Sequence, residues 1–97
     1  MNAENTIYPF NNISLSKAQI REFLYRLAGN EGCQYTGFEW RCGGSEFVYA
    51  KKILALMQIP DTEQEKVLEL CKENGGYCDC EILMNAAPVL LGEETPW

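Results

Sequence analysis

The residues of this chain best placed to do chemistry are Cys78 and Cys80, which flank Asp79. On an α-helix, residues two apart point to nearly opposite sides, so the thiols would not meet. On a strand they share a face, with Cα atoms roughly 6.6 Å apart. A disulfide needs Cβ atoms at about 3.8 Å, so an unstrained internal bridge is disfavoured. A metal spans the gap more easily, because two sulfurs bound at about 2.3 Å to a tetrahedral zinc lie a little under about 4 Å apart. This reasoning predicts a strand or knuckle over residues 77–83.

A structural zinc needs four ligands. The chain has no histidine, which also removes His-based acid–base catalysis. The available set is Cys33, Cys42, Cys78 and Cys80, with Asp79 or Glu81 as substitutes. Cys42 precedes Gly43-Gly44 and Cys78 follows Gly75-Gly76, so turn-flanked cysteines in separated pairs resemble a zinc-knuckle layout, without the CxxC…CxxC spacing. Buried, idle thiols and redox chemistry remain the alternatives. Asp79 and Glu81 beside the thiols disfavour a nucleophilic thiolate, which wants neighbouring cations or a helix N-terminus; next to a metal they could serve as orienting groups. Cys71 lies one turn from Val67 on an apolar stripe and reads as core.

The elements that position these residues are read as mainly helical α+β. Three helices are expected, at about 16–28, 46–58 and 62–74, with short strands near 34–42 and 77–84. The first helix is written by Ser16 and Gln19 as a capping box and by the stripe Ile20, Phe23, Leu24 and Leu27, with Gly29-Asn30 as a left-handed exit. Alternation through Phe38, Glu39, Trp40 and Arg41 suggests the first strand. Ser45 is expected to cap the second helix, with Val48, Ile53, Leu54 and Met57 inward and Lys51 and Lys52 outward. Thr62 with Glu65 forms a second capping box, ahead of the stripe Val67, Leu70 and Cys71. Asn74-Gly75-Gly76 ends that helix. Residues 1–14 read as an extended arm, 15–91 as one domain and 92–97 as a tail.

The run Val67-Leu68-Glu69-Leu70-Cys71-Lys72-Glu73-Asn74-Gly75-Gly76-Tyr77-Cys78-Asp79-Cys80-Glu81-Ile82-Leu83-Met84-Asn85 resembles the C-terminal signature of a bacterial domain-of-unknown-function family, number 2695. Its members end in a helix, a glycine turn and a CDCE-hydrophobic-Asn segment. Upstream they carry a leucine-striped helix and a Cys-x-His-Thr-like element that opens a second helix. Cys42-Gly43-Gly44-Ser45 stands at the matching place, so the resemblance spans about residues 15–86. Where the family commonly has His, this chain has Gly44; if that His is a ligand in relatives, Cys33 is the replacement here. The resemblance implies a small cytoplasmic bacterial protein and brings no known activity.

Composition narrows the function further. Eight Lys+Arg against fourteen Asp+Glu give a net charge of −6, and a pI near 4.5 argues against nucleic acid or an anionic membrane as partner. Five cysteines are an odd number, below the density of a disulfide-stapled secreted scaffold. With no signal-peptide pattern, a reducing cytoplasm is the expected compartment. No apolar run approaches the ~18 residues of a membrane span. The expectation is therefore a non-enzymatic zinc-binding structural or interaction module, with Cys42, Cys78, Cys80 and Cys33 as ligands and an unidentified protein as partner. The alternatives are a metal-free acidic adaptor docking through Tyr35, Phe38, Trp40 and Tyr77, or a thiol redox protein using Cys78 and Cys80.

Overall fold

A computed structural model describes residues 15–35 and 39–97 of the chain. Its elements are α1 (Lys17–Ala28), α2 (Val48–Leu56), α3 (Asp61–Glu73), the short α4 (Asp79–Glu81), a π-helical turn (Ile82–Ala86) and α5 (Ala87–Leu91). The last three run on without a break. The expected arm at 1–14 lies outside the described residues, as do Thr36, Gly37 and Phe38.

The α1 start is the one its sequence dictates. Ser16 Oγ accepts from the Gln19 N–H at 3.2 Å, and Gln19 Oε1 accepts from the Ser16 N–H at 2.9 Å. Ile20, Phe23, Leu24 and Leu27 are all buried on one face. The exit differs from expectation: Gly29 is extended rather than left-handed. The chain instead reverses through the Cys33 N–H, which donates to the Leu27 carbonyl at 2.7 Å. Gly32 presses so closely on the Leu27 backbone that a Cβ there would overlap it.

The second helix begins later than expected and is not capped by Ser45. Phe47 occupies the N-cap in a left-handed conformation, φ 58°, with no cap from its own side chain. That twist turns the Phe47 ring inward, leaving it 3% exposed, and puts Val48 outside. Ala50, Ile53 and Leu54 carry the buried face. α3 starts one residue early, behind Pro60, so Thr62 falls inside the first turn and the expected Thr62–Glu65 box does not form. The stripe of Val67, Leu68, Leu70 and Cys71 is buried as its spacing requires.

The larger correction concerns fold class. The described residues contain no strand, so the protein is all-α rather than α+β. Gln34, Tyr35 and residues 39–42 form an irregular connection, and the segment expected as a strand near 77–84 is helical from Asp79 onward. Ile82, Leu83, Ala86, Ala87, Leu90 and Leu91 are all buried, a pattern with the helical period of 3.6 that continues past any plausible strand. Asp79 and Glu81 fall in its first turn, where the helix dipole favours them. The turn widens just before Pro88, with the Ala87 N–H reaching the Ile82 carbonyl. Proline has no N–H to continue an α-helical ladder and its ring crowds the carbonyl four residues back, which the wider turn accommodates.

α1 packs against α2, α5 and the π-helical turn, and α2 packs against α3 and α4. The C-terminal residues return to this core. Trp97 donates its indole N–H to the Leu83 carbonyl at 3.0 Å and meets the Tyr25 ring edge-on at 5.3 Å. None of the described helices is long and apolar enough to cross a membrane.

Candidate metal centre

Three of the four expected ligands converge. The sulfurs of Cys42, Cys78 and Cys80 all lie within 4.8 Å of one another, and those of Cys78 and Cys80 are 3.4 Å apart. The expected strand is not what brings the last two together. Cys78 is the N-cap of α4 and extended, φ −152° and ψ 171°, while Cys80 is already helical. Across a helix boundary, the rule that residues two apart diverge no longer holds, because only one of them has helical geometry. The two thiols therefore face each other at the mouth of a helix.

Cys42 reaches them from the connection ahead of α2. Arg41 anchors this connection to the end of α1: its Nε donates to the Gly32 carbonyl at 2.9 Å, and its N–H donates to the Cys33 carbonyl at 2.8 Å. Its guanidinium lies over the Tyr49 ring at 5.0 Å. Cys42 Sγ then accepts from the backbone N–H of Gly44 and of Cys80, each at 3.4 Å. Cys80 is the second helical residue after the Cys78 cap, so the Cys42 sulfur acts as a cap for α4.

Asp79 returns the exchange. Its carboxylate is fully buried and accepts from the N–H groups of Tyr49 at 2.9 Å and Ala50 at 3.2 Å, the second and third residues of α2. The Gly43 N–H is a further donor to it. This explains how α2 starts without a capping side chain of its own. It also explains Gly43: a Cβ there would collide with Asp79 Oδ2 and crowd the Tyr49 nitrogen at 3.1 Å. Each helix is thus capped by the residues that lead into the other.

The electrostatics follow from these contacts. Burial pushes the Asp79 carboxyl up, against the pull of the three N–H groups. Burial also opposes the Cys42 thiolate, but the Cys80 and Gly44 N–H groups and the two neighbouring thiols outweigh it and hold the Cys42 pKa below its ordinary value. Burial and the adjacent sulfurs push the Cys80 thiol up, and Cys78 moves up as well, chiefly through burial.

Cys33, expected as the fourth ligand, does not join the group. It is fully buried and not within 4.8 Å of all three sulfurs, and burial together with the nearby charges of Asp79, Cys42 and Cys78 raises its thiol to about 12. Cys71 is core, as its place on the stripe implies, and burial raises it also to about 12. Asp79 and Glu81 do not join the three sulfurs either; Asp79 is committed to α2. Three thiols on two short segments form a donor set that could hold a thiophilic metal ion.

Sequence reasoning missed Asp79 as a cap. The available signal was an acid opening a run of helical period directly after Gly75-Gly76-Tyr77-Cys78. Of the aromatics proposed as a docking surface, Trp40 is 45% and Tyr77 61% exposed. Trp40 stacks on Tyr35 at 5.0 Å.

Residues 39–85 match the model of a family described as "Protein of unknown function (DUF2695)". The matched stretch contains Cys42, Gly43, Cys78, Asp79 and Cys80, and begins well after the start of the resemblance read from the sequence. No curated protein and no solved structure matches the chain.

Proposed function

We propose, for a chain that over residues 39–85 belongs to this family of unknown function, that it is a small zinc-binding module of structural or protein-interaction role. Cys42, Cys78 and Cys80 are the ligands in this reading. The observation that carries it is the convergence of three sulfurs from two segments 36 or more residues apart to within 4.8 Å. Zinc deprotonates its thiols outright, which offsets the burial that otherwise keeps Cys78 and Cys80 protonated. The exposed rings of Trp40 and Tyr77 support a protein partner, and the acidic composition supports one that is not nucleic acid. A cytoplasmic location belongs to the same proposal, since reduced thiols are needed for the ligands to remain available.

The test is elemental analysis of protein purified without chelator. Near-stoichiometric zinc is expected, and replacing Cys78 and Cys80 by Ser should remove it and lower the melting temperature. Metal-free protein whose stability is indifferent to added zinc refutes the reading.

A thiol redox role is the second reading, favoured by the 3.4 Å approach of the Cys78 and Cys80 sulfurs and the lowered pKa of Cys42 beside them. It requires fast alkylation of Cys42 at neutral pH in the metal-free protein; slow, uniform alkylation removes it.

A further inference from the structure

Resting on the metal reading above, we infer that the ion takes its fourth ligand from outside the three cysteines, as the thiolate of a small thiol bound at the solvent-facing position. Tetrahedral zinc sites that are purely structural are closed by four protein ligands, whereas a site with three keeps one position for an exchangeable ligand. Among the described residues, nothing else containing a carboxylate or thiol joins the three sulfurs. Asp79 holds the N–H groups that open α2, and the fully buried Cys33 lies outside the group of three sulfurs.

The group meets solvent on one side. Cys42 is exposed, and Gly44, whose N–H donates to its sulfur, has nothing within 4 Å of where a Cβ would stand. Next to the cysteine-bearing turns, Val48 is 53% and Tyr77 61% exposed. These side chains offer apolar edges suited to the carbon frame of a small thiol rather than to a hydrated anion. Three sulfurs already select a thiophilic ion, whose remaining position favours sulfur over water. Binding would be a ligand exchange in which no electrons move: the thiol would give its proton to solvent, and its sulfur would replace the water that otherwise completes a three-ligand site.

The experiment uses Co(II) in the full chain, reduced and then freed of reductant, with 2-mercaptoethanol as the probe. The expected result is a saturable rise of the sulfur-to-cobalt charge-transfer band by roughly one third, as three sulfurs become four. A band that mercaptoethanol leaves unchanged overturns the inference while leaving metal binding intact. A four-sulfur spectrum before any thiol is added also overturns it. If that spectrum and the sedimentation coefficient both depend on protein concentration, a second copy fills the position; if neither does, Cys33 has moved in. Failure of the chain to take up either cobalt or zinc sinks the metal reading and this inference together.

Discussion

Replacing Asp79 by Ala tests the reciprocal capping most directly. The substitution leaves the N–H groups of Gly43, Tyr49 and Ala50 without their acceptor. Losing a helix N-cap costs about 1–2 kcal/mol, and stranding buried donors costs about 1–3 kcal/mol more. Against this stands the relief of no longer burying a carboxylate, the same burial that pushes its pKa up. A net loss of about 2–4 kcal/mol is expected, and at ~4–8 °C per kcal/mol for a domain of this size the melting temperature falls by roughly 8–32 °C. Asp79→Asn keeps one acceptor oxygen but turns an NH2 group toward N–H donors, so it should fall between Ala and the parent. Thermal melts are run in chelator, which removes any contribution from bound metal. If Asp79→Ala unfolds within about 0.5 kcal/mol of the parent, the carboxylate does not hold α2 and the cross-capping argument fails.

Gly43→Ala should reproduce the Asp79→Ala loss in chelator, because its methyl group would displace the same carboxylate; an unchanged melt contradicts the contact. Gly44→Ala meets no steric obstacle but must adopt φ +85°, so circular-dichroism melts should show a loss of about 1 kcal/mol. Trp97→Ala removes the hydrogen bond to Leu83 and the edge contact with Tyr25, with an expected loss of about 1–2 kcal/mol in urea titrations. Zinc affinity should weaken by at least about hundredfold for each unit of pH lost below neutrality, measured by competition with a chromophoric chelator. The sign follows from Cys78 and Cys80, whose raised pKa values mean that at least these two protons must leave when the ion enters.

What was legible in the sequence was local. The Ser16–Gln19 box and the Ile20–Leu27 stripe write α1 in consecutive residues, and Gly75, at φ +90°, supplies the turn its type announces. The membership of Cys42, Cys78 and Cys80 in one group could be read because Cys42 abuts Gly43-Gly44, Cys78 follows Gly75-Gly76 after one residue, and Cys80 stands two beyond Cys78. What was not legible depends on distant partners. Ser45 looked like a cap, but Asp79, thirty-four residues on, performs that function. The period of Ile82, Leu83, Ala86, Ala87, Leu90 and Leu91 was present in the sequence, yet a strand was preferred because two thiols on a regular helix cannot meet. The structure reconciles the two by ending the extended backbone at Cys78. Cys33 shares the residue type of the others, and only the folded structure shows it fully buried and outside their group.

The exchange of caps between Cys42 and Asp79 has a bearing on how this molecule assembles. At nine residues, α2 is shorter than the ~12–15 residues an isolated helix needs to be even marginally stable in water, and the groups that finish its first turn arrive from a remote stretch of polypeptide. A peptide cut to contain α2 alone should therefore be a coil. Any ion gathered by the three sulfurs would clasp the same two stretches, so its occupancy and the helicity of α2 would rise and fall as one thermodynamic event.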